Sequence, residues 1–185
     1  MNLLRFCKSL WYPLLPSVSV RLHEKRRKGL FYRCCPTDVL ECQREQDRIF
    51  WEKYLHPEAG GRFLEVGGEG VTGSHTLGLE LKHGWGGSLW ELTESLRNRA
   101  IKVRNCEILS ENGILNLSGT IQLLAIHRPS EFPGVWEQLQ TGRLKAGWAI
   151  VENRESDPQW CRLLERSRYR LRFFFHDDEY YQLKR

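Results

Sequence analysis

No stretch of this 185-residue sequence approaches the roughly 20 uninterrupted apolar residues that a membrane span requires, so no spanning helix is expected. Cys-x-x-Cys pairs are missing among the six cysteines, and the adjacent Cys34 and Cys35 are poorly placed to share one metal ion. That pattern speaks against a zinc site and against a secreted disulfide scaffold, and leaves reduced thiols in a cytoplasmic protein. Internal repeats and low-complexity tracts are missing too. Neither sign of charge dominates: the formal net charge is +5, with much of it near the amino end. What remains is the composition of a folded chain, 41% hydrophobic with seven Trp, long enough for one ordinary domain and an appendage.

The expected division is a basic leader or extension over 1–41 and one domain over 42–185. Within 1–28, Arg5, Lys8, Arg21 and the run Lys25-Arg26-Arg27-Lys28 face a single acid, Glu24, and are interspersed with Leu3, Leu4, Phe6, Leu10 and Trp11. Pro13 and Pro16 interrupt the apolar part and no small-residue cleavage site follows, which argues against a cleaved secretory signal. Basic, acid-poor character fits an organellar transit peptide. Trp and Leu beside Lys and Arg fit peripheral contact with an anionic membrane. A loosely ordered leader or an extra packed helix fits as well.

The most informative residues are Arg62-Phe63-Leu64-Glu65-Val66-Gly67-Gly68-Glu69-Gly70, followed by Gly84-Trp85-Gly86-Gly87-Ser88-Leu89-Trp90-Glu91. An apolar run ends in an acid and a glycine-rich turn, and a second apolar run ends in another acid roughly 25 positions on. This is the arrangement of a nucleotide-type cofactor site on a parallel sheet. Glycine lets the backbone approach a ligand closely and turn without a Cβ clash. Glu91, ending the second strand, is placed to accept hydrogen bonds from both ribose hydroxyls. Ordinary strand-to-helix turns also use glycine, so Glu91 carries the added weight.

Elsewhere, Ile49, Phe50 and Tyr54 repeat at helical spacing, so 42–55 reads as an amphipathic helix stopped by Pro57, Gly60 and Gly61. Strands are expected at 62–66, 87–91, 101–103, 121–126 and 147–152, and helices at 74–83 (capped by Ser74), 94–99 and around Val135, Trp136 and Leu139. Asp157-Pro158 opens another helix, burying Trp160, Leu163 and Leu164. Two closing strands, 169–175 and 180–183, join at Asp177-Asp178. The fold class is α/β: an open, mostly parallel sheet with an antiparallel C-terminal hairpin strand.

In this order, the segments resemble the FkbM-type methyltransferases of the Rossmann-like, S-adenosylmethionine-dependent class. Cys42-Gln43-Arg44-Glu45-Gln46-Asp47 is similar to that family's opening Ser-Gln-x-x-Gln-Asp. Residues 64–77 follow its Val-Glu/Asp-Ile/Val-Gly-Ala-Asn-Asp-Gly loop with one residue fewer, and Gly84 to Glu91 its Gly-Trp-x-Gly-x-x-x-Glu. Ile150-Val151-Glu152-Asn153 and Asp177-Asp178-Glu179-Tyr180-Tyr181 resemble its late strand and hairpin. The resemblance implies a Rossmann-like methyltransferase fold and S-adenosylmethionine as cofactor, contacted by Glu65, Gly67, Gly68, Gly70, Thr72, Ser74 and Glu91. It implies O-methylation of a small-molecule hydroxyl acceptor, a sugar or secondary metabolite, with no metal. His127, Glu131 and Glu152 are the catalytic candidates, and Asp177 is placed to meet the acceptor.

The chain also departs from the family. Where the family carries Ile-Asp-x-Glu-Gly-x-Glu, this sequence reads Ile126-His127-Arg128-Pro129-Ser130-Glu131-Phe132. His127 replaces the leading acid, the glycine is absent, and only Glu131 stands for a later acid. An imidazole can serve as a general base near pH 7 but does not replace an acidic pair as a divalent-cation ligand. A catalytically impaired methyltransferase-like binding subunit is therefore the alternative. Arg162, Arg166, Arg168, Arg170 and Arg172 with Tyr169 and Phe173 to Phe175 admit a third reading, a nucleic-acid face. Arginine alternating with apolar residues is more simply a strand with one wet face, so nucleic acid is not the expected partner.

Overall fold

The computed structural model describes residues 46–68, 73–154, 157–175 and 177–185. The expected leader over 1–41 lies outside the described residues, as do Gly70 and Thr72 of the expected cofactor loop.

Seven strands form one sheet: β1 (Arg62–Val66), β2 (Gly86–Trp90), β3 (Glu107–Leu109), β4 (Gly119–Ile126), β5 (Leu144–Glu152), β6 (Tyr169–Phe175) and β7 (Asp178–Leu183). Their order is β3-β2-β1-β4-β5-β7-β6. β1 to β5 pair in parallel, and β7 runs antiparallel to both β5 and β6. Helices α1 (Gln46–Phe50), α2 (Leu77–His83), α3 (Glu94–Ile101), α4 (Glu111–Leu115), α5 (Pro133–Gln140) and α6 (Pro158–Arg166) connect or cover the strands. No described helix is long and apolar enough to cross a membrane.

Period-2 alternation in the central strands feeds two separate cores. Leu64, Val66, Leu124 and Ile126 join one cluster with Trp136 and Trp160, whose rings stack 5.0 Å apart. Phe63, Leu123, Ala125 and Ile150 join the other with Phe50, Trp85, Trp148 and Tyr180. Both faces are covered, which is why β4 and β5 read as continuous apolar runs. Fully burying each large side chain contributes about 1.5–3 kcal/mol.

Several local expectations need correction. The third strand lies at Glu107–Leu109 and not at 101–103: Ile101 ends α3, and Ile101 and Val103 are exposed. Their β-branched side chains imitate a strand, but Thr93 caps α3 by accepting from Leu96 N, and the helix runs through Ile101. α2 begins at Leu77, three residues later than expected. The Ser74 hydroxyl accepts from the N–H groups of Thr76 and Leu77, at 3.2 and 3.0 Å, and so makes a turn ahead of the helix. Leu163 is half-buried, and the buried face of α6 is Trp160, Cys161 and Leu164. α1 is short and passes into a π-helical turn, Trp51–Leu55, stopped at His56 in the left-handed region (φ +50°).

The order of strands reverses between β1 and β4, which are neighbours at the centre of the sheet. Chains leaving their carboxyl ends diverge and open a crevice there, the place where open α/β sheets bind ligands.

Candidate functional site

Glu65, next to last in β1, is wholly buried. Its Oε2 accepts from Ser74 Oγ (2.7 Å), Thr76 Oγ1 (2.5 Å) and Arg104 Nη1 (3.2 Å). Its Oε1 accepts from the His75 backbone N–H (2.7 Å) and lies 3.1 Å from His127 Nε2. A carboxylate has about four lone-pair sites, so these five partners saturate it. Burial opposes its ionisation, but the His127 bond and the Arg104 charge outweigh that and hold the carboxyl well below the usual range. Glu65 was expected to meet the cofactor; its oxygens instead fasten the segment entering α2 to the end of β1. Ser74, also expected at the cofactor, spends its hydroxyl on Glu65, Arg104 and the α2 turn.

Arg104, just past α3, ties this network to a second acid. It donates from Nε to Glu80 Oε2 (2.6 Å) and from Nη2 to Thr76 Oγ1 (2.8 Å), while Glu80 Oε1 accepts from the backbone N–H groups of Asn105 and Cys106.

His127 follows β4 directly and is buried between two carboxylates. Nε2 faces Glu65, and Nδ1 lies 3.2 Å from Glu152 Oε2 at the end of β5. Burial alone would lower its pKa, but the bonds to Glu152 and Glu65 raise it. Glu152 is drawn down to about 2: burial opposes this, while His127 and Arg154 Nε, 2.8 Å away, outweigh it. Both ring nitrogens thus face carboxylates, an arrangement that favours the protonated ring and differs from the open imidazole expected of a general base.

A second imidazole stacks on the first. The rings of His75 and His127 lie 4.7 Å apart at 17°. His75 Nδ1 donates to Asp47 Oδ1 at 2.8 Å, and Nε2 stands 3.7 Å from Asp178 Oδ1. Burial disfavours its charge, yet Asp47 and Asp178 raise its pKa to about 10. Burial pushes Asp178 itself up to about 6. Isolated buried ions cost several kcal/mol each, so these groups depend on one another. Asp47, His75, Glu80 and Arg104 were not singled out from the sequence. His75 and Asp47 sit inside quoted motifs, but nothing in a linear pattern marks a buried arginine.

Gly67 takes a left-handed conformation (φ +75°), and a Cβ there would lie 2.7 Å from the Phe132 ring. A Cβ on Gly68 would lie 2.8 Å from Glu65 Oε1 and 3.1 Å from His127 Nε2. Both glycines are therefore demanded by the fold of the site itself. Val66 pairs with Trp90, and Gly67 N donates to the Trp90 carbonyl at 2.8 Å. Glu91, the next residue and wholly buried, consequently lies beside the glycine turn at the carboxyl edge. Its carbonyl accepts from Arg97 Nη1 at 3.0 Å. Arg97 also lines an open cavity of about 510 Å³ with Ile101, Ile108, Leu109 and Ser110.

A second cavity, about 270 Å³, opens past the ends of β4 and β5 and is lined by Arg128, Glu131, Glu152, Arg154, Asp157 and Trp160, among others. Glu131 and Glu152 thus share one cavity, with Glu131 Oε2 4.0 Å from Arg128. Asp177 lies in the β6–β7 turn, where its carbonyl accepts from Asn153 N at 2.7 Å. Among the described residues, no cluster of three or more His, Cys, Asp or Glu is arranged to hold a metal ion.

No family model and no curated protein matches the sequence. Solved structures do. The chain is similar to a methyltransferase from Pyrococcus furiosus, at 16% identity, covering 89% of this chain and 94% of that one, with a TM-score of 0.52. It is similar to a SAM-dependent methyltransferase from Aquifex aeolicus, at 18% identity, covering 72% and 89%, TM-score 0.51. It is also similar to an O-methyltransferase family protein from Burkholderia thailandensis, at 12% identity, covering 76% and 56%, TM-score 0.51. The likeness is one of fold. It bears out the α/β class expected from the sequence, a mostly parallel seven-stranded sheet closed by an antiparallel hairpin. The finer FkbM resemblance rests on the motifs alone.

Proposed function

We propose that this chain is an S-adenosylmethionine-dependent methyltransferase that transfers a methyl group to a hydroxyl of a sugar or other small metabolite. One observation carries the reading: a wholly buried carboxylate, Glu91, lies beside a left-handed glycine turn at the switch point of the sheet. The residues present fit the cofactor's ribose, since Glu91 offers acceptors for two vicinal hydroxyls and Gly67 and Gly68 leave no Cβ in the way. Glu65 and Ser74 act behind them, holding the turn. Arg97, bonded to the Glu91 carbonyl, lines a cavity whose apolar walls, Ile101, Ile108 and Leu109, suit a purine.

When bound, S-adenosylmethionine supplies a methyl group activated by a positive sulfonium. Transfer from it would be in-line, so what this chain would supply is alignment of an acceptor oxygen. In this reading the acceptor occupies the cavity past β4 and β5. Glu152, fixed by His127 and Arg154, accepts the acceptor's O–H and orients it. With a pKa near 2 it is a weak base, so it orients the hydroxyl, and the proton would leave past Glu131 at the cavity rim to solvent. His127 is a positioning residue: it clamps Glu152 to Glu65 and so joins the acceptor cavity to the cofactor turn.

One observation favours a second reading, a binding subunit with little turnover: the doubly engaged His127 stands where the resembling family has an acid. Thermal unfolding with added ligand tests the common part. S-adenosylmethionine at about a hundred times its Kd should stabilise the protein by about 2.7 kcal/mol, while NAD and ATP should not. Transfer of labelled methyl to a panel of sugars then separates the two readings. No stabilisation by S-adenosylmethionine would defeat both.

A further inference from the structure

β6 is the last strand of the sheet and is bonded only to β7. Around it stand Arg162 and Arg166 on α6, Arg168 in the turn between them, Arg170 and Arg172 on β6, and Lys184 just past β7, all exposed. The Lys184 N–H donates to the Arg168 carbonyl at 2.9 Å, which puts those two at one corner. None of the six side chains makes an ion pair among the described residues. Within α6 and β6 the one exposed acid is Glu165.

A solvated strand face would carry its charges on one side. Here the register shifts between Leu171 and Phe173. Tyr169 and Leu171 pack into one core cluster, while Phe173 and Phe175 pack into the other. The cations therefore flank the open edge on both sides. Protecting an edge from mispairing takes a charge or two, commonly lysine. Five arginines are more than that task needs, and their planar forks match phosphate oxygens two at a time.

We propose that the outer side of β6, with α6, is a binding track for single-stranded nucleic acid. Arg168, Arg170 and Arg172 follow one another along the open edge with Arg162 and Arg166 beside them on α6, so the cations border a path that a flexible phosphate backbone can follow. Phe174, partly exposed beside Arg172, adds an aromatic surface. A membrane is the poorer match. Its interfacial contacts combine cations with several exposed apolar side chains, and of the exposed large ones only Tyr54, stacked on Phe173, adjoins β6, while Leu81, Leu92, Ile101, Val103 and Leu115 lie on other elements. The track leads along β6 to the hairpin whose Asp178 pairs with Glu152, so a bound strand would end near the carboxyl-edge cavity. The binding itself does not depend on the cofactor reading.

Fluorescence anisotropy of the full chain with a labelled oligouridylate, titrated across salt concentrations, tests the proposal. Five neutralised phosphates give a slope of log K against log salt of about −3.5 from this surface, and Arg170→Glu with Arg172→Glu should make it shallower by about 1.4. Affinity should fall roughly tenfold or more. The same charge change at the far edge, Arg99→Glu with Lys102→Glu, should leave both nearly unchanged. Residues of the leader contribute equally to every variant, so the differences are read. Should the first pair lose its thermal transition, Arg162→Gln with Arg166→Gln on α6 must show the same shallower slope. The proposal is overturned if the parent does not bind oligonucleotide at low salt, or if the β6 pair binds with the parent's slope. It is overturned equally if the control pair weakens binding as much, or if phosphatidylserine vesicles, and not oligonucleotide, respond to the β6 pair.

Discussion

Raising the pH from 7 to 8.5 should destabilise this protein far more than the loss of one surface charge would. His75 is buried against Asp47 and Asp178 and keeps its proton to about pH 10, while in the unfolded chain it releases it near 6.5. A group whose folded pKa is raised contributes stability that is complete below pH 6.5 and is lost as pH climbs toward 10. Between those limits each pH unit costs about 1.4 kcal/mol, so the step from 7 to 8.5 costs about 2 kcal/mol from His75 alone. His127, also raised, acts with the same sign. Asp178 and Glu152 complete their titrations at about 6 and 2 and do not contribute in this window. With roughly 2.1 cal/mol/K of unfolding entropy per residue over roughly 140 residues, 2 kcal/mol lowers Tm by about 7 °C. Scanning calorimetry reads this directly. A change of less than about 2 °C would show that the His75 proton does not carry this stability, as would an undiminished change in His75→Gln combined with Asp47→Asn.

Four further outcomes follow from the same geometry. His127→Ala leaves Glu65 and Glu152 buried without their shared cation and should cost about 3–5 kcal/mol in urea unfolding, with His127→Gln costing less. Gly67→Ala meets both a positive φ and the Phe132 ring, so it should cost more than the 1–2 kcal/mol of the backbone conformation alone and weaken S-adenosylmethionine binding as well. Glu91→Ala removes two charge-assisted bonds to the ribose and should weaken S-adenosylmethionine binding by about 2 kcal/mol, roughly thirtyfold, with the unfolding transition kept. Removing residues 1–29 should leave a cooperatively unfolding domain in calorimetry and abolish sedimentation with anionic vesicles, since most clustered positive charge goes with them.

β4 was legible because a strand buried on both faces reads as an apolar run, β1 because its short apolar run ends in a glycine turn, and Glu91 because it follows that turn at recognisable spacing. β3 was not. Three residues at the sheet's edge bury too little to leave a pattern, and Ile101 to Val103 offered a better imitation nearby. The site's charged centre was hidden for another reason. Charged residues are read as surface by default, and the partners here lie far apart in sequence: Asp47 and His75 by 28 positions, Glu65 and Arg104 by 39, Glu65 and His127 by 62. Only the order β2-β1-β4-β5 brings them together. His127 shows the cost of reading a residue type without its neighbours. A histidine in place of an acid suggested a base, and two carboxylates, one on each ring nitrogen, favour its protonated form.

Isothermal calorimetry of the full chain with S-adenosylmethionine and S-adenosylhomocysteine decides whether the turn at Gly67 and the acid at Glu91 form a cofactor site. Both ligands should bind the parent one-to-one, and folded Glu91→Ala should lose roughly thirtyfold in affinity. A folded parent that binds neither ligand, or a Glu91→Ala variant that binds both as tightly as the parent, would rule the site out.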